Sequence, residues 1–276
     1  MDWSLVLASQ GIEAVIEYSP DGPGWQLLVP ETDYEKSRDI IRQYQIENRG
    51  WPFQQPIFGT DLRFDWSSLA WVGLVILFFG LDSQFDLRSG AVMESSLLRH
   101  GQWWRLFTAL WLHADLGHLA SNAALGFVLL GLVLARYGTM LGLLAACLAG
   151  AGGNLLAALI TPQPYRSLGA SGLVMGCVGL LCFQSALVRG KAAQRLGPAL
   201  RYVLTGVFAG VMLFVLLAVG PGTDILAHLG GFVSGIILSG LLAWLPSSEQ
   251  KPSLGLVSGV TFALLVIVPW WLALQH

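Results

Sequence analysis

The stretch ILAHLGGFVSGIILSGLLAWLPSS, residues 225–248, contains no Asp, Glu, Lys or Arg. A helix that spans a bilayer needs about 20 predominantly apolar residues, so this stretch is long enough to cross one. One ionisable side chain, His228, lies near its start. Because ionisable residues inside spanning segments are costly, those that occur there usually have a function. The stretch therefore predicts a membrane helix that carries a functional histidine.

The composition of the whole chain indicates the same class of protein. Hydrophobic residues make up 54% of the 276 residues and charged residues 12%, with a mean hydropathy of +0.63. Soluble domains have about 25% charged residues. The net charge of −2 is too small to suggest a nucleic acid as partner. An odd number of cysteines, all in apolar runs, argues against a disulfide framework.

From residue 66 onward the chain divides into uncharged apolar runs, most of which are long enough to form a membrane-spanning helix. Together they predict an all-α polytopic membrane protein. The first run is short and is bounded by Asp65 and Asp82. The seven runs are 66–81, 119–135, 137–165, 167–188, 202–223, 225–248 and 252–275.

Residues 1–63 differ from the rest of the chain because charged residues are spread throughout them. Alternating apolar positions predict strands at 14–18 and 25–29, joined by the turn Pro-Asp-Gly-Pro-Gly at 20–24. Thr32 followed by Glu35 is a capping pattern that predicts the start of a helix. These signals predict a small soluble α+β domain before the membrane helices.

The basic residues of the loops predict the orientation in the membrane. The densest basic loop lies between the fourth and fifth runs, with four Lys and Arg residues between positions 189 and 201. Short basic loops stay in the cytoplasm, which also places residues 1–63 there. The loop after the first run also carries three arginines, but at a lower density than the loop at 189–201, so the orientation stands. By the count of crossings, Ser171 and His228 lie at similar shallow depth on the outer side.

A serine stands at the start of the fourth run, in Gly169-Ala170-Ser171-Gly172. A serine and a histidine within hydrogen-bond distance form a nucleophile and its base. Small residues at every fourth position let two helices approach closely, and alone they indicate helix packing only. Here packing and catalysis need the same geometry. The small residues are Gly172 and Gly176 in one run, and Ala227, Gly231 and Gly235 in the other.

A third polar cluster precedes and enters the second run. His118 and Asn122 are four residues apart, so both face the same side of a helix as potential donors to an oxyanion. A zinc site is the competing interpretation. It is disfavoured because His113 and His118 are five apart, no glutamate completes H-E-x-x-H, and no further ligand is evident. We therefore predict no metal and interpret His113 as structural.

In this order, these motifs resemble the rhomboid family of intramembrane serine proteases, in particular bacterial members with a small N-terminal cytoplasmic domain. The resemblance implies a six-helix core at 64–246 and a seventh, C-terminal transmembrane helix at 247–276, after the cytoplasmic domain and linker at 1–63. It implies that Ser171 is the nucleophile and His228 its general base, without an aspartate. The motifs are Trp104-Arg105, His113 with His118 and Asn122, Gly169 to Gly172, and Ala227-His228 followed by Gly231 and Gly235.

The resemblance also implies further roles. His118, Asn122 and the backbone N–H of Ser171 would form the oxyanion hole, while Trp104 and Arg105 would shape the outward loop. The expected activity is endoproteolytic cleavage of transmembrane or juxtamembrane segments, without a cofactor, in a bacterial inner membrane. The partners are then membrane-protein substrates and the lipid bilayer, and no nucleic acid.

Two other functions were considered. A rhomboid-like binder that holds transmembrane helices without cutting them usually lacks the serine or the histidine, and both are present. A small-solute transporter would carry polar groups near mid-membrane and repeated halves, which the sequence does not show. Two positions depart from the family pattern: Met175 stands where an aromatic ring is common, and Leu134 where a glutamate is common. We expect both to alter stability.

Overall fold

The computed structural model describes residues 2–19, 24–48, 63–161, 164–182, 206, 208–215, 224–243 and 252–276. The chain forms two compact units, Met1–Asp61 and Leu62–His276.

The first unit contains the predicted two-stranded sheet. β1 (Val15–Ser19) pairs antiparallel with β2 (Gly24–Leu28), so that Val15 lies opposite Leu28. A 3-10 turn at Glu31–Asp33 leads into helix α2 (Tyr34–Glu47). The sequence missed one helix, α1 (Asp2–Ser9).

The predicted cap of α2 is wrong. Thr32 lies inside the 3-10 turn, so the helix begins later than the capping pattern indicated. Asp33 occupies the N-cap position, and its side chain makes no capping hydrogen bond.

The second unit is helical, as predicted, and five of its described helices are long and apolar enough to span a membrane. A sixth apolar helix, α9 (Ser171–Cys182), is shorter. Of the predicted fifth run, only residues 206 and 208–215 are described, and they are helical. The arrangement of six helices plus one therefore stays a prediction. The five candidate spans are α3 (Ser68–Phe85), α7 (Leu116–Tyr137), α8 (Thr139–Ile160), α10 (Ile225–Leu242) and α11 (Pro252–Ala273).

Helix α3 continues past the predicted end of the first run. Asp82 is buried within it, and its carboxylate accepts a hydrogen bond from Arg88 Nε at 2.6 Å. The ion pair offsets part of the cost of burying the acidic group, and the helix continues to Phe85. Asp86 then ends the helix in the left-handed conformation, with φ 48°.

The first loop, residues 86–115, is folded into short elements. One of its strands pairs antiparallel with a strand of the serine loop, residues 164–170, so that Met93 lies opposite Ser167. The two loops are thereby joined at one end of the helices. The elements are α4 (Arg88–Ala91), β3 (Met93–Glu94), α5 (Ser95–Arg99), α6 (Arg105–Thr108), a 3-10 turn at Ala109–Trp111, and β4 (Arg166–Ser167) in the serine loop.

Tyr137 connects three helices at the opposite end of the bundle. Its hydroxyl, at the end of α7, donates to the carbonyl oxygen of Leu180 in α9 at 2.9 Å and lies 3.0 Å from Ser239 Oγ in α10. Leu134, one of the two departures, is buried one turn earlier in α7. A tyrosine therefore supplies a polar connection close to the position where the family pattern has a glutamate.

Helix α11 packs against α8 and the first loop, and its aromatic end also contacts α3. The rings of Phe78 and Trp270 are stacked with centroids 4.6 Å apart, and those of Trp104 and His276 with centroids 5.0 Å apart. A Cβ added to Gly90 would lie 2.1 Å from the carbonyl oxygen of Ala273. The end of α11 therefore supports the first loop by direct contact.

Candidate active site

Ser171 is the first residue of α9 and is half-buried. The preceding Gly169 has a φ of +127°, a conformation open to glycine and strained for other residues. Its backbone N–H donates to the carbonyl oxygen of Ala109 in the first loop at 2.9 Å. The serine is thus presented at a helix start by a loop that the first loop holds in place.

His228 lies in the first turn of α10 and is buried. This helix begins after Asp224, whose Oδ1 accepts the backbone N–H of Ala227 at 3.0 Å. The carbonyl oxygen of Asp224 accepts the backbone N–H of His228, also at 3.0 Å. Because such a cap satisfies N–H groups left unpaired at a helix start, it fixes the turn that carries the histidine.

Helices α9 and α10 touch backbone to backbone. A Cβ added to Gly231 would lie 2.1 Å from the carbonyl oxygen of Gly172, and one added to Gly235 would lie 2.2 Å from that of Gly176. No side chain fits between these carbonyls and the facing helix. The contact begins at the residue after Ser171, which places the starts of the two helices side by side.

Helix α8 contacts α10 beside the histidine. A Cβ added to Gly153 would lie 2.6 Å from the carbonyl oxygen of Ala227. The next residue, Asn154, is buried and donates through Nδ2 to the carbonyl oxygen of Leu106 in the first loop at 2.9 Å. The backbone around His228 is therefore packed against α8 as well as α9.

The ring of His118 lies against the serine loop. A Cβ added to Gly169 would lie 2.7 Å from His118 Nε2, so a larger residue there would displace the imidazole. On the other side of the ring, Nδ1 faces the backbone N–H of Ala114 at 3.4 Å. The histidine of α7 is thereby brought to the same end of the bundle as Ser171 and His228.

Asn122 is buried one turn after His118 on α7. Its Nδ2 donates to the carbonyl oxygen of His118 at 3.0 Å. An amide nitrogen carries two hydrogens, and this bond uses only one.

His113 is fully buried, and neither ring nitrogen has a hydrogen-bond partner among the described residues. Its ring meets that of His118 edge to face, with centroids 5.3 Å apart. Burial and the charge of His118 lower the pKa of His113 to about 4, against a smaller opposing effect of the Trp111 backbone. His113 is therefore neutral at physiological pH. The described ranges contain no group of three His, Cys, Asp or Glu side chains placed as metal ligands.

We expect acidification to destabilise the protein through His113. Its pKa is lowered from 6.5 to about 4 in the folded state, so below pH 6.5 the unfolded chain binds a proton that the folded chain does not. This contribution to stability is complete above pH 6.5 and is lost as the pH falls, amounting to roughly 2 kcal/mol by about pH 5.

Thermal melting in detergent at neutral and acidic pH measures this effect. On acidification, the Tm of His113→Leu should fall less than that of the wild type. The Tm of His100→Gln, which alters an exposed histidine, should fall as much as that of the wild type. An equal loss in His113→Leu and in the wild type would contradict the assignment.

The buried side chain of Arg105 is hydrogen-bonded to several residues of the first loop. It is 4% exposed and donates to the carbonyl oxygens of Val92 at 2.7 Å and Ser89 at 2.9 Å, and to Gln102 Oε1 at 2.6 Å. Burial lowers the pKa of its guanidinium. Its neighbour Trp104 donates through Nε1 to the carbonyl oxygen of Gly90 at 3.3 Å. Both side chains are hydrogen-bonded to the first loop.

The structure adds three residues that the sequence analysis did not single out. Arg88 pairs with Asp82 and donates to the carbonyl oxygen of His113 at 2.8 Å, which connects α3 to the segment before α7. Tyr165 and Asp224 are hydrogen-bonded to each other. An aspartate just before an apolar run is a signal for an N-cap, so Asp224 was recognisable from the sequence. The two partners are 59 positions apart in the sequence, so no local pattern indicates their pairing.

Met175, the second departure, is buried in the core that α7 and α9 share. Its expected effect on stability stays a prediction.

Comparison with known families yields one match that spans this site. The model of the rhomboid domain matches residues 100–245, more than half of the chain. The chain belongs to the rhomboid family. The matched range of this rhomboid includes His118, Asn122, Ser171 and His228 as well as Trp104.

Relatives of this rhomboid occur in bacteria, plants and a parasite. Rhomboid protease GluP of Bacillus subtilis is 30% identical over 155 residues, 54% of this chain and 28% of its own length. RHOMBOID-like protein 1 of Arabidopsis thaliana is 33% identical over 154 residues, 55% of this chain and 37% of its own length. Rhomboid-like protease 3 of Toxoplasma gondii is 35% identical over 190 residues, 66% of this chain and 70% of its own length. This chain spans about half or less of the length of GluP and several plant relatives.

Proposed function

We propose that this rhomboid is an intramembrane serine endopeptidase in which Ser171 is the nucleophile and His228 its general base. One observation carries the proposal: the helix that begins with Ser171 and the helix that carries His228 in its first turn touch backbone to backbone, with Gly172 against Gly231. Close contact at this level favours a hydrogen-bonded pair, which a serine nucleophile requires. GluP is named a rhomboid protease, which supports a proteolytic function.

The reaction follows from the roles of these two groups. Ser171 Oγ attacks a peptide carbonyl while His228 takes the hydroxyl proton. His228 then gives this proton to the leaving amine, and the acyl group stays on the serine. Water activated by the same histidine hydrolyses the acyl-enzyme and regenerates Ser171.

We assign the oxyanion hole to His118, Asn122 and the backbone N–H of Ser171. Developing negative charge in the transition state needs donors that are already in place. Glycine at position 169 leaves the space that the His118 ring occupies beside the serine loop. Ser171 lies at a helix start, where the unpaired N–H groups of the first turn favour an anion.

Substitution of one oxyanion donor is expected to cause a partial loss. His118→Ala and Asn122→Ala should each lower turnover by about a hundredfold to a thousandfold at most, because the other donors remain. Ser171 should still react with a fluorophosphonate probe in both variants. Ser121→Ala, at an exposed position of the same helix, is the matched control. Elimination of labelling by His118→Ala, together with normal turnover of Asn122→Ala, would contradict the assignment.

The substrates we propose are transmembrane or juxtamembrane segments of other membrane proteins. A spanning helix satisfies its backbone hydrogen bonds internally, so it must unwind locally before a carbonyl reaches Ser171. Segments with Gly or Pro near the cut unwind most easily. We place the N-terminal unit in the cytoplasm and the site at the outer side of a bacterial inner membrane, on the basis of the basic loop at 189–201.

A fluorophosphonate probe tests the proposal directly. The purified wild type should be labelled at Ser171, and Ser171→Ala should not. A folded wild type that fails both to react with the probe and to cleave a single-pass membrane substrate would favour the alternative, a rhomboid that binds transmembrane helices without cutting them.

A further inference from the structure

A tyrosine and an aspartate join the segments that carry Ser171 and His228. Tyr165 belongs to the serine loop, six residues before Ser171, and Asp224 is the N-cap of α10, four residues before His228. The Tyr165 hydroxyl donates a hydrogen bond to Asp224 Oδ2. In both segments, the bonded residue comes earlier in the sequence than the first glycine contact between α9 and α10.

Each partner is itself fixed to its surroundings. The backbone N–H of Tyr165 donates to Ser95 Oγ at 3.1 Å, and its carbonyl oxygen accepts the Ser95 N–H at 3.0 Å. The other carboxylate oxygen of Asp224, Oδ1, caps α10 through Ala227. The bond therefore joins two anchored segments, and its loss would let them move relative to each other.

The chemical properties of the two side chains favour a persistent hydrogen bond. Tyr165 is 8% exposed, and burial together with Asp224 raises the pKa of its hydroxyl, so the hydroxyl stays protonated and available as a donor. A hydrogen bond from a neutral hydroxyl to a carboxylate is stronger than one between neutral groups. Loop ends and first helical turns are the parts of a fold that open most easily. A strong bond between them is thus placed where it restrains the most motion.

We propose that Tyr165 and Asp224 are positioning residues that keep the nucleophile and the base at a fixed separation. The proposal rests on the proposed function, since it concerns the separation of Ser171 from His228. Neither residue takes part in proton transfer. Their bond fixes the start of α10 against the serine loop, while the glycine contacts fix the two helices further along.

Tyr137 offers a matched control. It also connects α9 to α10 through its hydroxyl, at the far end of both helices. Tyr137→Phe and Tyr165→Phe remove the same atom. The Tyr137 hydroxyl links α9 and α10 through α7, whereas the Tyr165 hydroxyl links the serine loop directly to the N-cap of α10. A purely structural role predicts similar consequences for both variants, whereas a positioning role predicts a difference in chemistry.

The experiment compares four variants with the wild type: Tyr165→Phe, Asp224→Ser, the double variant, and Tyr137→Phe. Serine is a good N-cap, so Asp224→Ser keeps the cap of α10 and loses the partner of Tyr165. Tm is measured first, and the probe-labelling rate, kcat and KM are then measured below the lowest Tm.

We expect Tyr165→Phe and Asp224→Ser each to lower the labelling rate and kcat about ten- to a hundredfold, because small misplacements of reacting groups have effects of this size. KM should stay unchanged. The double variant should lose no more than either single variant, since all three lack the same bond. Tyr137→Phe should lower Tm and leave kcat and the labelling rate unchanged.

Two results would overturn the proposal. One is that the probe labels Tyr165→Phe as fast as it labels the wild type. That result would leave the proposed function intact. The other is a multiplicative loss in the double variant, which would mean that the two residues act separately. A wild type that neither labels nor cleaves overturns the proposed function and this inference together.

Discussion

Ser171→Ala is expected to abolish cleavage of a single-pass membrane substrate, with a loss of about 10⁴-fold or more in turnover. His228→Ala should cause a loss of the same order, because a serine without its base is a weak nucleophile. Neither change should unfold the protein, since each only shortens a side chain at the start of a helix. Cleaved product on a gel and Tm in detergent measure the two effects.

Two matched variants control for the change of residue type. Ser83→Ala and His100→Ala alter an exposed serine and an exposed histidine, and both should cleave like the wild type. Substantial turnover in purified Ser171→Ala would remove the protease assignment. Normal turnover in His228→Ala would leave the nucleophile in place and require another base.

Gly231→Ala is expected to reduce both activity and stability. A methyl group at this position would lie 2.1 Å from the carbonyl oxygen of Gly172, so the helices must separate or bend. Overpacking of this kind destabilises by about 1–3 kcal/mol. A displacement near 1 Å between reacting groups lowers turnover by about a hundredfold.

Gly240→Ala is the matched control on the same helix. Among the residues that the structure describes, no atom lies within 4 Å of a Cβ added there, so the change should be neutral or slightly stabilising, as alanine is the better helix former. Tm and kcat of the two variants, measured side by side, separate contact from helix propensity. Wild-type Tm and turnover in Gly231→Ala would show that α9 and α10 do not touch in the membrane as described.

Local patterns were sufficient to predict the membrane class and the long apolar helices that the structure describes. Apolar runs such as 225–248 predicted helices because backbone groups in a bilayer must bond within their own segment. Boundaries were less well predicted. The run that ends before Asp82 continues as helix to Phe85, and the buried carboxylate pairs with Arg88. The N-terminal strands were found from their alternation, but α1 was not predicted, and the cap of α2 was misplaced.

The sequence also identified candidate site residues through motif spacing, without showing how they meet. Ser171 and His228 are 57 positions apart, and no periodicity relates them. The structure brings their helices together through the carbonyl oxygens of Gly172 and Gly176, contacts that depend on the absence of side chains. It likewise shows that His118 fits beside Gly169 because that residue has no Cβ.

The sequence by itself determined that this protein is a helical membrane protein of the rhomboid type, because hydrophobicity and motif order are local properties of the chain. Only the tertiary structure decided which distant groups pair: Tyr165 with Asp224, Arg88 with Asp82 and with the segment before α7, and Tyr137 with two helices. These pairs form because burial removes water as a partner, so each polar group must bond to whichever side chain or backbone atom the packed helices bring near.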